Sequence, residues 1–307
     1  MKKTVAAWLA LLLICALVTA CGTGGRGDGD GAPATPEIPE NARISYLGPA
    51  GTYTEEAAKF FFGTGTFQPK ETVQDAIADV TDGAADYAVI PQENTLGGAV
   101  TNYVDALIAQ QEIYVVGEVI LPINQTLMGV PGASLEDIRT VCSHAQGLAQ
   151  SAAWRTEHLP DAATEEMAST AAAASYVAET GDKTIAAIAA PGAAELYGLS
   201  VLAENVQITD ANKTRFYVLS ASPLEGNHGV FVASCEANRI DDIIVEIHNA
   251  GAELVTIHDR PEGSALGAYN YILEVEGVSG KLLKALEAFP EVSYLGSFSV
   301  MEKQNQG

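Results

Sequence analysis

Three apolar runs typical of β-strands each lead into a polar, turn-forming loop and then into a helix. The three strand-and-loop pairs are RISYL (43–47) with GPAGT (48–52), YAVI (87–90) with PQENTLGG (91–98), and IRTVC (138–142) with SHAQ (143–146). Ligands in open α/β sheets bind beyond the carboxyl ends of strands, where such loops form a concave polar wall. The alternation therefore predicts two α/β lobes around a cleft, the second lobe covering about residues 123–205.

The loops contain side chains suited to holding an anion. Thr52 or Thr54 is expected to cap a helix, and the turn before them gathers backbone N–H groups at its positive end. Ser143 is expected to cap a second helix with its hydroxyl facing the ligand. Gln146 and Gln150 lie one helical turn apart and so share a face of that helix.

A fourth polar motif, NKTRF at residues 212–216, stands at the start of an apolar strand. It places the Thr214 hydroxyl, the Arg215 guanidinium and the Phe216 ring side by side, so a small anion could be held and protonated there. Alternating polar and apolar residues are also common in ordinary β-strands, so this motif indicates a functional site only in combination with the three loops.

The N-terminus has the pattern of an exported lipoprotein. Lys2 and Lys3 precede an apolar run that ends in TAC at residues 19–21, which predicts a signal peptide over residues 1–20 and lipid attachment at Cys21. Residues 21–42 are rich in Gly, Pro, Ala and acids and predict a flexible tether. We expect the protein outside the cell, anchored by lipid to the outer face of the bacterial cytoplasmic membrane, or periplasmic. An uncleaved anchor helix is the alternative.

Composition excludes several classes of function. The net charge of −23, from 16 basic and 39 acidic residues, argues against nucleic-acid binding. The histidines are dispersed without metal-ligand spacing, so no metal is expected. Cys142 and Cys235 lie in strand-like segments and are expected to be buried free thiols, with a disulfide as the alternative. His144 follows Ser143 directly, but no Gly-x-Ser-x-Gly elbow supports a hydrolase triad.

Beyond a linker at residues 220–228, the predicted elements follow the order strand, helix, strand, strand, helix, strand. This βαββαβ pattern, in residues 228–303, predicts a ferredoxin-like domain.

Taken together, the four motifs and the domain order resemble prephenate dehydratase with a C-terminal ACT regulatory domain. The resemblance covers about residues 43–300, with the dehydratase part at residues 43–221, and it implies a catalytic domain of the two-lobed type II periplasmic-binding-protein architecture. It also implies conversion of prephenate to phenylpyruvate with loss of water and carbon dioxide, a carbon–oxygen lyase step in L-phenylalanine biosynthesis that needs no cofactor.

The resemblance assigns the proton-donor role to Thr214. Arg215 would hold a carboxylate, with a structural ion pair as the alternative, and Ser143 and Asn94 complete the expected catalytic group. The remaining expected substrate contacts are Thr52, Glu93, Thr95, Gln146, Gln150 and Phe216. Departures from the family pattern are small here, with Thr95 in place of the usual Ser and Ala145 in place of Pro.

The ACT portion departs more. GVFV at residues 229–232 replaces the family's Gly-Ala-Leu, and HDRP at residues 258–261 replaces Glu-Ser-Arg-Pro. In relatives these segments bind L-phenylalanine as an allosteric ligand, so the expected regulatory residues are Val230, Phe231, His258, Asp259, Arg260 and Pro261. The resemblance also implies a homodimer or higher oligomer.

Other functions remain open at this stage. An exported, lipid-anchored pair of lobes also describes a solute-binding protein for an aromatic or amino-acid ligand, and a sensor that has lost turnover is a third interpretation. Arogenate, which carries an amino group where prephenate carries a keto group, is an alternative substrate.

Overall fold

The computed structural model describes residues 39–109, 112–209 and 211–304. They form two α/β lobes and a ferredoxin-like unit, so the predicted fold class is confirmed. The predicted signal peptide, Cys21 and most of the tether lie outside the described residues. Ala42, at the predicted end of the tether, is 1% exposed and belongs to the core of the first lobe.

The first lobe begins with strands and helices in alternation. Its elements in this part of the chain are β1 (Arg43–Leu47), α1 (Tyr53–Phe62), β2 (Thr66–Lys70), α2 (Val73–Thr81), β3 (Tyr87–Asn94), β4 (Gly98–Ala99), α3 (Thr101–Ala109) and β5 (Tyr114–Pro122).

The second lobe follows without interruption. It comprises β6 (Thr126–Gly129), a 3₁₀ turn (Leu135–Asp137), β7 (Thr140–Ser143), α4 (Ala145–Gln150), α5 (Ala152–His158), β8 (Ala163–Glu166), α6 (Thr170–Thr180), β9 (Ile185–Ala189), α7 (Gly192–Tyr197) and β10 (Ser200–Ala203).

The chain then returns to the first lobe before it forms the ferredoxin-like unit. These last elements are β11 (Lys213–Ser220), β12 (His228–Glu236), α8 (Ile240–Ala250), β13 (Glu253–Pro261), β14 (Ala268–Glu276), α9 (Gly280–Leu286), β15 (Val292–Phe298) and β16 (Val300–Glu302).

Each part is built on its own sheet. The first-lobe sheet has the order β16-β5-β11-β3-β1-β2 with β4 paired to β3, and the second-lobe sheet has the order β10-β6-β9-β7-β8. The ferredoxin-like sheet is antiparallel, with the order β13-β14-β12-β15. It packs against the first lobe through a shared core that includes Ile90, Leu107, Tyr217, Val230 and Phe298.

Local sequence signals explain the helix that borders the cleft. Thr52 adopts an extended conformation and its side chain accepts a hydrogen bond from the Glu55 backbone N–H, so α1 is capped at the predicted position. Glu55 and Glu56 lie in the first turn, where the helix dipole favours acids. Phe61 and Phe62 are buried on the face turned toward the sheet, and α1 ends at Gly63.

Strand β3 extends through a segment predicted to be a loop. Pro91 has no backbone N–H, which in a central strand would break the ladder. The register shifts at this point: Glu93 pairs with Arg215 and Pro91 with Phe216, which leaves Gln92 as the extra residue of a β-bulge. The bulge accommodates the proline, so the polar loop shortens to residues 95–97 and β4 returns as a hairpin.

The C-terminal strand connects the ferredoxin-like unit back to the first lobe. The predicted strand at residues 292–300 is divided after Phe298, and β16 then pairs in parallel with β5. The ferredoxin-like unit is therefore joined to the first-lobe sheet at both of its ends.

Within the described residues, no helix is long and apolar enough to cross a membrane, and no group of three or more His, Cys, Asp or Glu side chains is arranged to hold a metal ion. Both described cysteines are free thiols. Cys142 is buried as expected and burial raises its thiol pKa to about 11, whereas Cys235 is only partly buried.

Candidate active site

A cavity of about 320 Å³ lies between the first and second lobes. Six of the predicted site residues line it: Thr52, Asn94, Gln146, Gln150, Thr214 and Phe216. Apolar side chains complete part of the wall, namely Leu47, Pro91, Val100 and Ile123. The cavity therefore combines apolar surface that can pack against a ring with a polar side that contains one hydroxyl on β11.

Asn94 fixes the role of the Thr214 hydroxyl. The Asn94 Nδ2 group donates to Thr214 Oγ1 at 2.9 Å. The orientation of the Asn94 amide is set by its oxygen, which accepts from the backbone N–H groups of Leu96 and Gly97 at 3.0 and 2.9 Å. Because Thr214 Oγ1 accepts from Asn94, its own hydrogen is directed elsewhere and can be donated to a bound molecule.

A chain of neutral amides extends from Asn94 across the cavity. Asn94 Nδ2 also donates to Asn212 Oδ1 at 2.8 Å, and Asn212 Nδ2 donates to Gln150 Oε1 at 3.1 Å. Gln125 Nε2 donates to the same Gln150 oxygen at 2.7 Å, and Gln146 Nε2 donates to Asn94 Oδ1 at 3.3 Å. Asn94 Nδ2 also lies 3.1 Å from the Lys213 carbonyl, so its two hydrogens are shared among three acceptors, and the network as a whole holds the polar wall in place.

Two helices direct their N-termini toward the cavity. Thr52 and Tyr53, at the start of α1, and Ser169 and Thr170, at the start of α6, all line it. The described residues that line the cavity include no Lys, Arg, Asp or Glu. Positive potential therefore comes from the free backbone N–H groups and dipoles of the helices, which suit carboxylates.

Arg215 does not line the cavity, which corrects the expectation that it holds a substrate carboxylate. Successive strand residues point to opposite faces, so Thr214 and Phe216 face the cavity while Arg215 faces the other side of β11. Its guanidinium binds Glu118 through Nε and Nη2 at 2.8 and 2.6 Å, and Nη2 lies 2.5 Å from Glu274 Oε1. The structure thus agrees with the alternative of a structural ion pair.

Buried carboxylates explain why this ion pair is tight. Glu118 and Glu274 are 0% exposed. Burial lowers the pKa of Arg215, but Glu118 and Glu274 more than compensate and hold it above its usual range. The guanidinium is therefore a permanent cation in this cluster.

Ser143 is also placed differently from the prediction. It ends β7, is fully buried, and donates its hydroxyl to the Ile188 carbonyl at 2.7 Å. The helix cap is His144, whose Nδ1 accepts from the Gln146 backbone N–H. A Cβ at Gly147 would collide with the Ser143 hydroxyl, so Ser143 serves the close packing of α4 on β7, and the Ser143–His144 pair forms no nucleophile–base contact.

Glu93 and Thr95 lie outside the cavity lining. Glu93 faces the Arg215 side of the sheet, with a carboxylate oxygen 3.5 Å from Arg215 Nη1. The Thr95 hydroxyl donates to the Ala211 carbonyl at 3.1 Å and accepts from the Lys213 backbone N–H at 3.0 Å. Thr95 therefore ties the loop after β3 to the start of β11, next to Thr214.

Of the expected regulatory residues, two lie in the protein core and two contact the first lobe. Val230 and Phe231 are buried at 0% and 1% exposure. The His258 ring contacts the Tyr103 hydroxyl, and Arg260 binds Asp105 through two nitrogens at 2.6 and 2.8 Å. These two side chains of β13 thus meet α3 of the first lobe, whereas the remaining two, Asp259 and Pro261, are exposed.

The residues around the cavity that the sequence did not predict include Gln125, Ser169 and Thr170, and Asn212 was part of the NKTRF motif without an assigned role. Ser169 and Thr170 carried a usable signal, since a Ser directly before an Ala-rich helix is a cap. Gln125 had no such signal; it is 2% exposed and its Oε1 has no hydrogen-bond partner among the described residues.

Comparison with known proteins agrees with this geometry. A family model described as prephenate dehydratase matches residues 44–223. A bifunctional chorismate mutase/prephenate dehydratase from Neisseria gonorrhoeae is 35% identical over 267 residues, which are 83% of this chain and 74% of the relative.

Solved structures give the same result for the fold. Prephenate dehydratase from Arthrobacter aurescens in complex with L-Phe superimposes with a TM-score of 0.75 and 33% identity, covering 83% of this chain and 89% of that one. GqqA, described as a novel type of quorum quenching acylase, has a TM-score of 0.76 and 28% identity, covering 84% of this chain and 98% of its own. With the family model and the Neisseria relative, these matches show that the chain belongs to the prephenate dehydratase family.

Proposed function

We propose that this protein is a prephenate dehydratase that produces phenylpyruvate, a carbon–oxygen lyase reaction in the formation of L-phenylalanine. The observation that carries the proposal is the Thr214 hydroxyl, which faces the cavity and accepts from Asn94. Its proton is therefore available to the hydroxyl that leaves the ring.

The reaction needs a proton donor and firm placement of the substrate. Thr214 protonates the departing ring hydroxyl, which leaves as water, while the bond to the ring carboxylate breaks and its electron pair completes the aromatic ring. Carbon dioxide leaves and water returns a proton to Thr214. A neutral hydroxyl is a weak acid in water, but a donor held in position beside the departing group acts more strongly on developing charge.

The cavity offers two binding positions for the two carboxylates of prephenate. The N-termini of α1 and α6 provide free N–H groups beside Thr52 and Ser169, and Gln146 adds an amide donor. The apolar wall, including Phe216, packs against the ring. Binding both ends of the dianion fixes the ring hydroxyl relative to Thr214, and such positioning supplies a large part of the rate enhancement in reactions of this kind.

The charge of the lining favours prephenate over arogenate. The ammonium group of arogenate would need an acceptor of opposite charge, and the described lining residues include no carboxylate. A keto group, by contrast, requires only amide or hydroxyl donors. We therefore propose prephenate as the substrate and expect turnover of arogenate to be slower.

The decisive experiment compares Thr214→Ala and Thr214→Ser with the wild-type protein. We expect Thr214→Ala to lower kcat for prephenate by at least about 100-fold, the lower end of a general-acid contribution, with the melting temperature preserved. Thr214→Ser keeps the hydroxyl and serves as the matched control. Phenylpyruvate and phenylalanine are quantified after separate incubation with prephenate and arogenate, and turnover close to wild type in Thr214→Ala would refute the assignment.

The same assay separates the competing functions. A solute-binding protein would bind an amino acid saturably and turn over neither substrate. The acylase activity in the description of GqqA has no counterpart in the Ser143–His144 pair, because the Ser143 hydroxyl donates to a backbone carbonyl. Absence of phenylpyruvate with the wild-type protein would overturn the proposed function.

We further propose that the ferredoxin-like unit is an ACT regulatory domain that binds L-phenylalanine and pairs subunits. The complex of the Arthrobacter aurescens relative with L-Phe supports this proposal, as does the contact of His258 and Arg260 with the first lobe. Titration calorimetry with L-phenylalanine, with L-alanine as the control ligand, tests binding. Sedimentation measures the oligomer, and a monomer that does not bind L-phenylalanine would contradict the proposal.

Export and lipid attachment at Cys21 are proposed from the N-terminal sequence alone. Metabolic labelling with a radioactive fatty acid should label the wild-type protein and not the Cys21→Ala variant. Label on both variants, or on neither, would exclude the predicted anchor.

A further inference from the structure

Arg215 connects the catalytic strand to the ferredoxin-like unit. It follows Thr214 directly on β11, and its guanidinium contacts β5 through Glu118 and β14 through Glu274. The contact with Glu274 uses both carboxylate oxygens, at 2.5 and 2.7 Å from Nη2. A single side chain next to the proposed proton donor is thus held from outside the catalytic lobes.

Glu274 contacts β11 through two of its side chains. Besides Arg215, it accepts a hydrogen bond from the Tyr217 hydroxyl at 2.8 Å. Arg215 and Tyr217 are two residues apart and so lie on one face of the strand, while Thr214 and Phe216 lie on the cavity face. Gln92, the bulged residue of the neighbouring strand, lies 3.5 Å from the same carboxylate through Nε2. Holding one face of β11 therefore fixes where the opposite face presents Thr214.

Stability alone is a poor explanation for this arrangement. Burying two carboxylates and a guanidinium costs desolvation energy, and replacing such clusters by apolar residues is often neutral or stabilising. What a buried charge network does provide is a fixed orientation. That property matters at Thr214, because a displacement of about 1 Å in a catalytic group can lower the rate by about 100-fold.

We infer that Glu274 is a positioning residue for the dehydration, so that the ferredoxin-like unit holds the catalytic threonine in its working place. The inference rests on the proposed function and adds to it a residue outside the two catalytic lobes. Glu274 acts through Arg215 and Tyr217 and does not touch the cavity.

The test is a double-mutant cycle between Glu274→Gln and Thr214→Ala in the full-length protein. Glutamine keeps the size of the side chain and an acceptor for Tyr217 but loses the charge that holds Arg215. We expect Glu274→Gln to lower kcat by about 10-fold to 100-fold with KM for prephenate nearly unchanged. In the Thr214→Ala background the same change should have almost no further effect on kcat, because the group that Glu274 positions is gone.

Glu276→Gln provides the matched control, since Glu276 is an exposed glutamate on the same strand and its variant should retain wild-type kcat. If Glu274→Gln does not fold, Tyr217→Phe removes the other contact to Glu274 and should show the same dependence on Thr214 with a smaller effect.

Two results would overturn the inference while leaving the proposed function intact. One is a wild-type kcat in Glu274→Gln. The other is an equal fall in kcat in the Thr214 and Ala backgrounds, which would indicate general disturbance of the fold. A wild-type protein without prephenate turnover would overturn the proposed function and this inference together.

Discussion

The two faces of β11 use opposite physical means to hold the proposed proton donor, Thr214. On the cavity face, Thr214 is surrounded by neutral amides, which direct its proton without supplying charge. On the other face, Arg215 is surrounded by carboxylates that are almost fully removed from water. The cavity proposed to bind a dianion is therefore free of Lys, Arg, Asp and Glu among its described lining residues, while the charged side chains lie on the opposite face of the strand and pair with one another.

This division suits the proposed chemistry. An arginine beside the ring carboxylate would bind the substrate more strongly than the transition state, because that carboxylate loses its charge as it leaves as carbon dioxide. Amides and helix N-termini bind the same carboxylates more weakly and leave the Thr214 hydroxyl as the directed donor. The charged residues on the other face of β11 can therefore fix the position of the strand without binding the substrate.

Removing the cation should produce the largest effect on stability. Arg215→Met leaves Glu118 and Glu274 buried without a counter-charge, and breaking a buried pair in this way costs about 3–5 kcal/mol. Urea denaturation monitored by circular dichroism measures the change in the free energy of unfolding. The control is Lys213→Met, which removes the neighbouring cation from an exposed pair with Glu302 and should cost far less. Equal losses of unfolding free energy in the two variants would show that the buried cluster contributes no more to stability than an exposed ion pair.

The cavity face of β11 is tested by reversing the hydrogen bond between Asn94 and Thr214. Asn94→Asp keeps the shape of the side chain but replaces the Nδ2 donor by a carboxylate oxygen, so Thr214 donates to it instead of to the substrate. We expect kcat to fall by about 10-fold to 100-fold at pH 8, in line with the 1.5–3 kcal/mol of a hydrogen bond to a charged group. Activity should rise again as pH falls through the pKa of the new carboxyl, because protonation restores a donor.

Asn94→Ala separates this effect from simple loss of the side chain. It removes both donor and acceptor, so its kcat should be low without a rise toward acidic pH. The pH profile of kcat measures the difference, and a flat profile for Asn94→Asp would contradict the directed-proton model.

The sequence predicted the lobes and the cavity residues better than the individual roles. Loops that follow strands converge at one edge of a sheet, so Thr52, Asn94 and Gln146 could be expected to meet. Arg215 was misplaced because adjacency in a motif was taken for adjacency in space. Strand alternation, applied to a segment already predicted as a strand, would have separated it from Thr214.

Other features were beyond local reasoning. Glu274 is distant from Thr214 in the chain, and its contact with Arg215 depends on how the ferredoxin-like sheet packs on the first lobe. The return of β16 to β5 and the bulge at Gln92 likewise depend on pairing between distant strands. Such contacts have no signature in composition or spacing, because they arise only when whole elements pack.

The smallest expected effect concerns the rim of the charged face, where His228 lies beside Glu274. The Glu274 carboxylate, with its oxygen 3.6 Å from Nδ1, raises the pKa of His228 against the opposing effect of burial, and Glu276 and Glu118 add to the rise. A raised folded-state pKa stabilises the protein fully at pH values below that of free histidine, about 6.5, and this stabilisation is lost as pH rises through the folded-state pKa. His228→Asn should therefore cost stability at pH 5.5 and much less at pH 8.5, by a smaller amount than Arg215→Met costs. Urea denaturation midpoints between pH 5.5 and pH 8.5 measure this loss of stability. His248→Asn, at an exposed histidine, is the control for removing an imidazole. A loss of stability that grows with pH would show that His228 is not stabilised by Glu274.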